Sequence, residues 1–164
     1  MTPEIAQQRQ TGYQTALDTM VRDLDKDAHF ATYAPPAFIA FHGGAYLQLS
    51  FATALRETEA GSQYHAAALA FDEHVSHLIR PVLAHLPNRV GLDGVDFSTS
   101  VRPAGASPNA AALSVEFVFP EAALTCYEKY DCTGQQLINQ GFVLINGERV
   151  SLELQAAEGG NAGR

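Results

Sequence analysis

At 164 residues, 46% hydrophobic and 17% charged, the chain has the size and composition of one globular domain, able to bury roughly 70% of its unfolded surface without disulfides or metals. Its formal charge of −8, with Lys26, Lys129 and eight arginines scattered along the chain, excludes a phosphate-tracking surface, so nucleic acid is not an expected partner. No apolar run approaches the roughly 20 residues of a membrane span; the longest candidate, Ala37 to Phe41, is broken at once by His42-Gly43-Gly44.

The opening Met-Thr-Pro-Glu lacks the basic and apolar regions of a signal peptide. The chain therefore reads as soluble, cytoplasmic by default or exported if an export signal has been removed. Thr2-Pro3-Glu4 supplies an N-cap hydroxyl, a proline where no hydrogen bond is lost and a carboxylate at the positive end of the dipole. Ile5, Tyr13, Ala16, Leu17, Met20, Val21 and Leu24 follow at helical spacing, which predicts a helix from about residue 3 to 26.

Residues 37 to 59 carry two patterns. Leu47, Leu49 and Phe51 alternate as in a strand, whereas Leu47, Phe51 and Leu55 are spaced as in a helix, and the Ala/Thr/Glu-rich flank favours a helix from about Ala45. Gly61-Ser62 reads as a C-cap followed by an N-cap, opening a helix from Ser62 toward His85 that should kink or end at Pro81.

After residue 90 the period changes to two. Val95, Phe97, Thr99 and Val101 alternate with Asp96, Ser98, Ser100 and Arg102, and Leu113, Val115, Phe117 and Phe119 repeat the pattern, predicting two antiparallel strands across a loop at 103 to 110. Pro120-Glu121 opens a short helix, and Thr133-Gly-Gln-Gln136 reads as a capping box. Asn146-Gly147 predicts a type I′ hairpin pairing Ile145 with Glu148 and Val143 with Val150, so that Val143, Val150 and Leu152 share the core face. The sum is a single α+β domain over 1-155, a predominantly helical N-terminal half packed on one face of a small antiparallel sheet formed mainly by the C-terminal half, with 156-164 as a flexible tail.

Chemistry is sparse in this pattern. Glu73, His74 and His77, at spacings of three and four, fall near one helical face and are the best metal-ligating or acid-base group, with zinc as the implied ion. Two histidines and one acid fill only part of a coordination sphere, and an inert boundary position explains them as well. Asp23-x-Asp25-x-Asp27 opens like a calcium loop, but Ala28 and Ala34 stand where the loop requires glycine and glutamate. Phe41-His42-Gly43-Gly44 resembles an esterase oxyanion turn, yet no Gly-x-Ser-x-Gly elbow accompanies it, and a plain glycine turn suffices.

Asp93, Asp96 and Glu116 are expected as solvated carboxylates on the polar faces of their strands, and Tyr127 and Tyr130 as packing between helix and sheet. Cys126 and Cys132 lack the Cys-x-x-Cys spacing of a redox pair; buried thiols are the first reading and a structural disulfide the second. With no complete catalytic or cofactor signature, the leading expectation is a non-catalytic binding or assembly module, its partner a protein or small ligand, using the 103 to 110 loop or an exposed helix face. The alternative is a small metal-binding protein or metal-assisted hydrolase using Glu73, His74 and His77.

Overall fold

The computed structural model describes residues 3–27, 32–58, 61–107 and 109–157. In chain order these form α1 (Pro3–Asp27), β1 (Thr32–Phe41), β2 (Gly44–Ala54), α2 (Gln63–Ala70), a π-helical turn (Phe71–Val75) and α3 (Ser76–Ala84). The second half carries β3 (Gly94–Arg102), β4 (Leu113–Pro120), α4 (Glu121–Glu128), α5 (Gly134–Gln140), β5 (Phe142–Ile145), β6 (Glu148–Val150) and a closing 3-10 turn (Leu154–Ala157). The six strands form one sheet in the order β1-β2-β3-β4-β5-β6. Only β2 and β3 pair in parallel; their crossover, residues 55–93, holds α2, the π-turn and α3.

The class is α+β, and the division into a helical first half and a C-terminal sheet is corrected. Two of the six strands come from the first half, because the expected helix from Ala45 is strand β2. The reason lies in the spacing. An interval of four places Leu47 and Phe51 on one face of a strand as well as of a helix, so it cannot discriminate, whereas Leu49 lies two residues from each and is buried with them only in a strand. The turn before it is a hairpin: His42 and Gly43 have φ of 48° and 79°, the left-handed pair of a type I′ turn. His42-Gly43-Gly44 is thus a strand connection.

Several local expectations stand. Ser62 caps α2 by accepting from the His65 N–H, and Thr133 and Gln136 form the reciprocal capping box. Asn146 (φ 50°) and Gly147 (φ 84°) turn the last hairpin, and Val143 opposes Val150. The helix expected from Ser62 toward His85 is interrupted by the π-turn instead, and it does not end at Pro81 as expected but runs on through it to Ala84. Of the expected tail, 156 and 157 belong to the 3-10 turn and 158–164 lie outside the described residues.

Leu47, Leu49, Phe51, Val95, Phe97, Val115, Phe117, Phe119, Val143 and Ile145 point to one side of the sheet and form a continuous core. Leu17 and Met20 of α1, Leu78 and Val82 of α3, Leu124 of α4 and Leu137 of α5 join the same core, so the helices cover this side. Each fully buried large apolar side chain there contributes about 1.5–3 kcal/mol. Tyr46 and Val118 are equally buried yet stand outside that core, on the opposite side of the sheet. In a flat sheet β1 and β5 would be roughly 19 Å apart, four strand spacings, but the Phe41 and Phe142 rings meet at 5.2 Å. The sheet therefore coils strongly, bringing the tip of the first hairpin to the fifth strand and making its helix-free side a concave trough.

Candidate functional site

The trough is assembled by strand register. Gln48 lies beside Asp96, Asp96 beside Val118 and Val118 beside Phe142. The adjoining row runs Ser50, Ser98, Glu116, Leu144, Arg149. Asp96 and Glu116 are thus diagonal neighbours on β3 and β4, close enough for side chains to meet.

At one end the trough is closed by rings. Phe41 meets Tyr46 edge-on at 5.4 Å, and His42 stacks on Phe41 at 4.3 Å and reaches Phe142 at 4.8 Å. The Arg149 guanidinium lies 4.4 Å from the Phe142 ring centre. Toward the other end the lining changes to Ser50, Ser98 and Ser100, with exposed Ala52 and Ala54 beyond.

Asp96 is the unexpected member. Period-two alternation places it on the polar side, as read from the sequence, but its exposure is 0% rather than that of a solvated carboxylate. Its Oδ2 accepts from Gln48 Nε2 at 2.9 Å, and the same nitrogen stands 3.5 Å from Glu116 Oε1. Burial, then a hydrogen bond to Glu116 and the Glu116 charge, push the Asp96 carboxyl up to about 8, while the Gln48 bond opposes them. Two carboxylates can only accept, so an Asp96–Glu116 hydrogen bond requires a proton between them.

The residues singled out from the sequence lie on the other side of the sheet. Glu73 Oε1 accepts from the Arg56 N–H at 3.0 Å. His74 Nδ1 is 2.8 Å from Thr53 Oγ1, which meets Thr99 Oγ1 at 2.6 Å, and its ring stands edge-on to Phe51. His77 is exposed. Glu73 and His74 sit within the π-turn, whose wider winding breaks the four-residue spacing that placed them on one face with His77. Among the described residues no three His, Cys, Asp or Glu side chains are grouped to hold a metal ion.

Asp23 pairs with His85 at 3.0 Å, Asp25 is exposed, and the Asp27 side chain lies outside the described residues. Asp93 accepts from the Ala45 N–H at 2.8 Å, at the closed end of the trough. Tyr127 and Tyr130 hold the Arg80 guanidinium at 4.5 and 3.9 Å from their ring centres. The sulfurs of Cys126 and Cys132 are at bonding distance, with Cα atoms 5.4 Å apart, which corrects the reading of two buried thiols. The loop at 103 to 110 is tied back by Ala104 N–H to Glu57 and by Arg102 Nε to Ala110 carbonyls.

Two shallow grooves flank α1, one of about 410 Å³ against residues 85–90 and one of about 450 Å³ against the start of β1. Neither gathers a buried acid, whereas the trough combines a buried carboxyl, a polar lining and an aromatic wall. No known family model matches the chain, and no curated protein or solved structure matches it.

Proposed function

We propose that the protein is a non-catalytic binding module whose ligand occupies the concave side of the coiled sheet. The observation that carries this reading is Asp96: a fully buried carboxyl, pushed up to about 8 by that burial and by Glu116, on the side of the sheet that none of the described helices covers. Burying such a group costs stability unless it is satisfied, and perturbed acids in concavities concentrate at functional sites. The helix-covered side has a complete apolar core and needs no partner; the trough combines an apolar wall with few polar groups, the composition of ligand sites generally. Among the described residues no group of His, Cys, Asp or Glu side chains that could hold a metal ion accompanies the carboxyl pair, which favours binding over metal-assisted turnover.

Backbone amide NMR of the full chain during a screen of chemically diverse fragments tests this reading. The expected outcome is that hits shift the amides of Gln48, Ser50, Ser98, Ser100 and Leu144 together. Hits confined to the groove between α1 and residues 85–90, or to the 103–110 loop, would contradict it.

A further inference from the structure

Helix α4 is closed by the N–H groups of Tyr130 and Asp131, which donate to the Tyr127 and Cys126 carbonyls at 3.1 and 2.9 Å. In this closure the residue after the cap has a left-handed backbone and is usually glycine; here it is Tyr130, with φ 64°. For a residue with a Cβ that backbone is disfavoured about 5- to 30-fold. The Tyr130 ring, 78% exposed, lies 3.9 Å from the Arg80 guanidinium, and an exposed contact of this kind returns only about 2- to 5-fold. Tyr130 and Asp131 are both exposed, so water competes for the closing hydrogen bonds. The remaining restraint is the Cys126–Cys132 disulfide, which closes the loop on both sides of Tyr130. The cross-link therefore decides where the ring sits.

What the ring covers is an arginine that no carboxylate holds. None of the ion pairs among the described residues involves Arg80. Its Nη2 donates to the Tyr127 carbonyl at 2.8 Å, and its Nε is buried with no hydrogen-bond partner among the described residues. Cys126 and Cys132 are both half-buried, so a thiol can reach the bond from solvent. The core does not depend on it, because Leu124 on α4 and Leu137 and Ile138 on α5 are buried against other elements.

We infer that Cys126–Cys132 is a redox-sensitive latch: a dithiol reductant opens it, Tyr130 leaves its left-handed backbone, and Arg80 on α3 is presented as an uncovered cation. A thiolate of the reductant attacks Cys126 Sγ, and Cys132 leaves as the thiolate, stabilised by the Gln140 Nε2 donor 3.5 Å away. The reductant's second thiol then displaces Cys126 from the mixed disulfide. The chain gains two electrons and two protons as two thiols, and the dithiol becomes a cyclic disulfide. Exchange with an oxidised dithiol reverses the step and returns the ring to Arg80. The latch lies on the helix-covered side of the sheet and stands independently of the trough.

NMR of the full chain, oxidised and in excess dithiothreitol, tests it through the Arg80 Nε–H and the Tyr130 ring. On reduction the Arg80 Nε–H is expected to lose its ring-current shift and to exchange with water about tenfold faster or more, and the Tyr130 ring signals to move to the positions of a free tyrosine. The amides of β3 and β4 should stay where they are. Cys126→Ser combined with Cys132→Ser should show the reduced pattern without reductant, and Tyr130→Ala should give the fast Arg80 exchange in both redox states. A Tyr130 ring that remains on Arg80 after reduction, an Arg80 Nε–H unaffected by Tyr130→Ala, or a β3 and β4 amide pattern that collapses on reduction would each overturn the inference, the last by making the disulfide a staple of the whole fold.

Discussion

Asp96→Asn is expected to flatten the pH dependence of stability and leave the variant more stable than the parent under alkaline conditions. Folding raises the Asp96 carboxyl from its ordinary range to about 8, so between about pH 4 and pH 8 the native state holds a proton that the unfolded state has lost. Stability from this group is therefore fully present below the unfolded value and lost as pH rises through the folded one, a change of a few kcal/mol across that window. Asparagine mimics the protonated carboxyl, cannot ionise, and can donate to Glu116. Urea denaturation at both ends of the window should show the variant near the parent in acid and above it in alkali. Parallel curves would mean that Asp96 is not held protonated by the fold.

Gly94→Ala is expected to lower stability by about 2–4 kcal/mol. A Cβ at Gly94 would fall inside contact distance of the Phe119 carbonyl oxygen and the Tyr46 ring. The ring could swing aside, but the carbonyl belongs to the strand directly paired with β3, where Gly94 opposes Pro120, and moving it disrupts the ladder. Gly12 in α1, where an added Cβ meets nothing within 4 Å, is the matched control; alanine there should gain about 1 kcal/mol from helix propensity. If Gly94→Ala proved neutral in chemical denaturation, the Tyr46 ring would not lie over β3 and the closed end of the trough would be packed otherwise.

Local signals in the sequence were legible where one interaction decides the structure. The Asn146-Gly147 register, the Thr133–Gln136 box, the α1 face and the β3–β4 alternation all follow from residues close in the chain. The first sheet edge was not, because Leu47, Phe51 and Leu55 satisfy either period and the turn before them uses His42 in place of asparagine; histidine tolerates positive φ, and that was the available clue.

The site was half legible. Alternation correctly sends Asp96 and Glu116 away from the helices, but alternation alone reads both as solvated surface carboxylates, whereas Asp96 is fully buried. Their burial depends on Gln48, brought beside Asp96 across 48 residues by the parallel pairing, and on the coil that carries Phe41 to Phe142. Neither contact leaves a local trace. The Glu73, His74 and His77 group failed to converge for a similar reason, since a π-turn is set by packing rather than by the spacing of its residues.

Carbon-detected NMR titration of the side-chain carboxyl groups tests the central claim most directly. The Asp96 carboxyl carbon should remain in its protonated range at neutral pH and change over near pH 8. An Asp96 resonance that completes its titration near pH 4, the ordinary range for an exposed aspartate, would contradict the raised Asp96 carboxyl and the binding trough built on it.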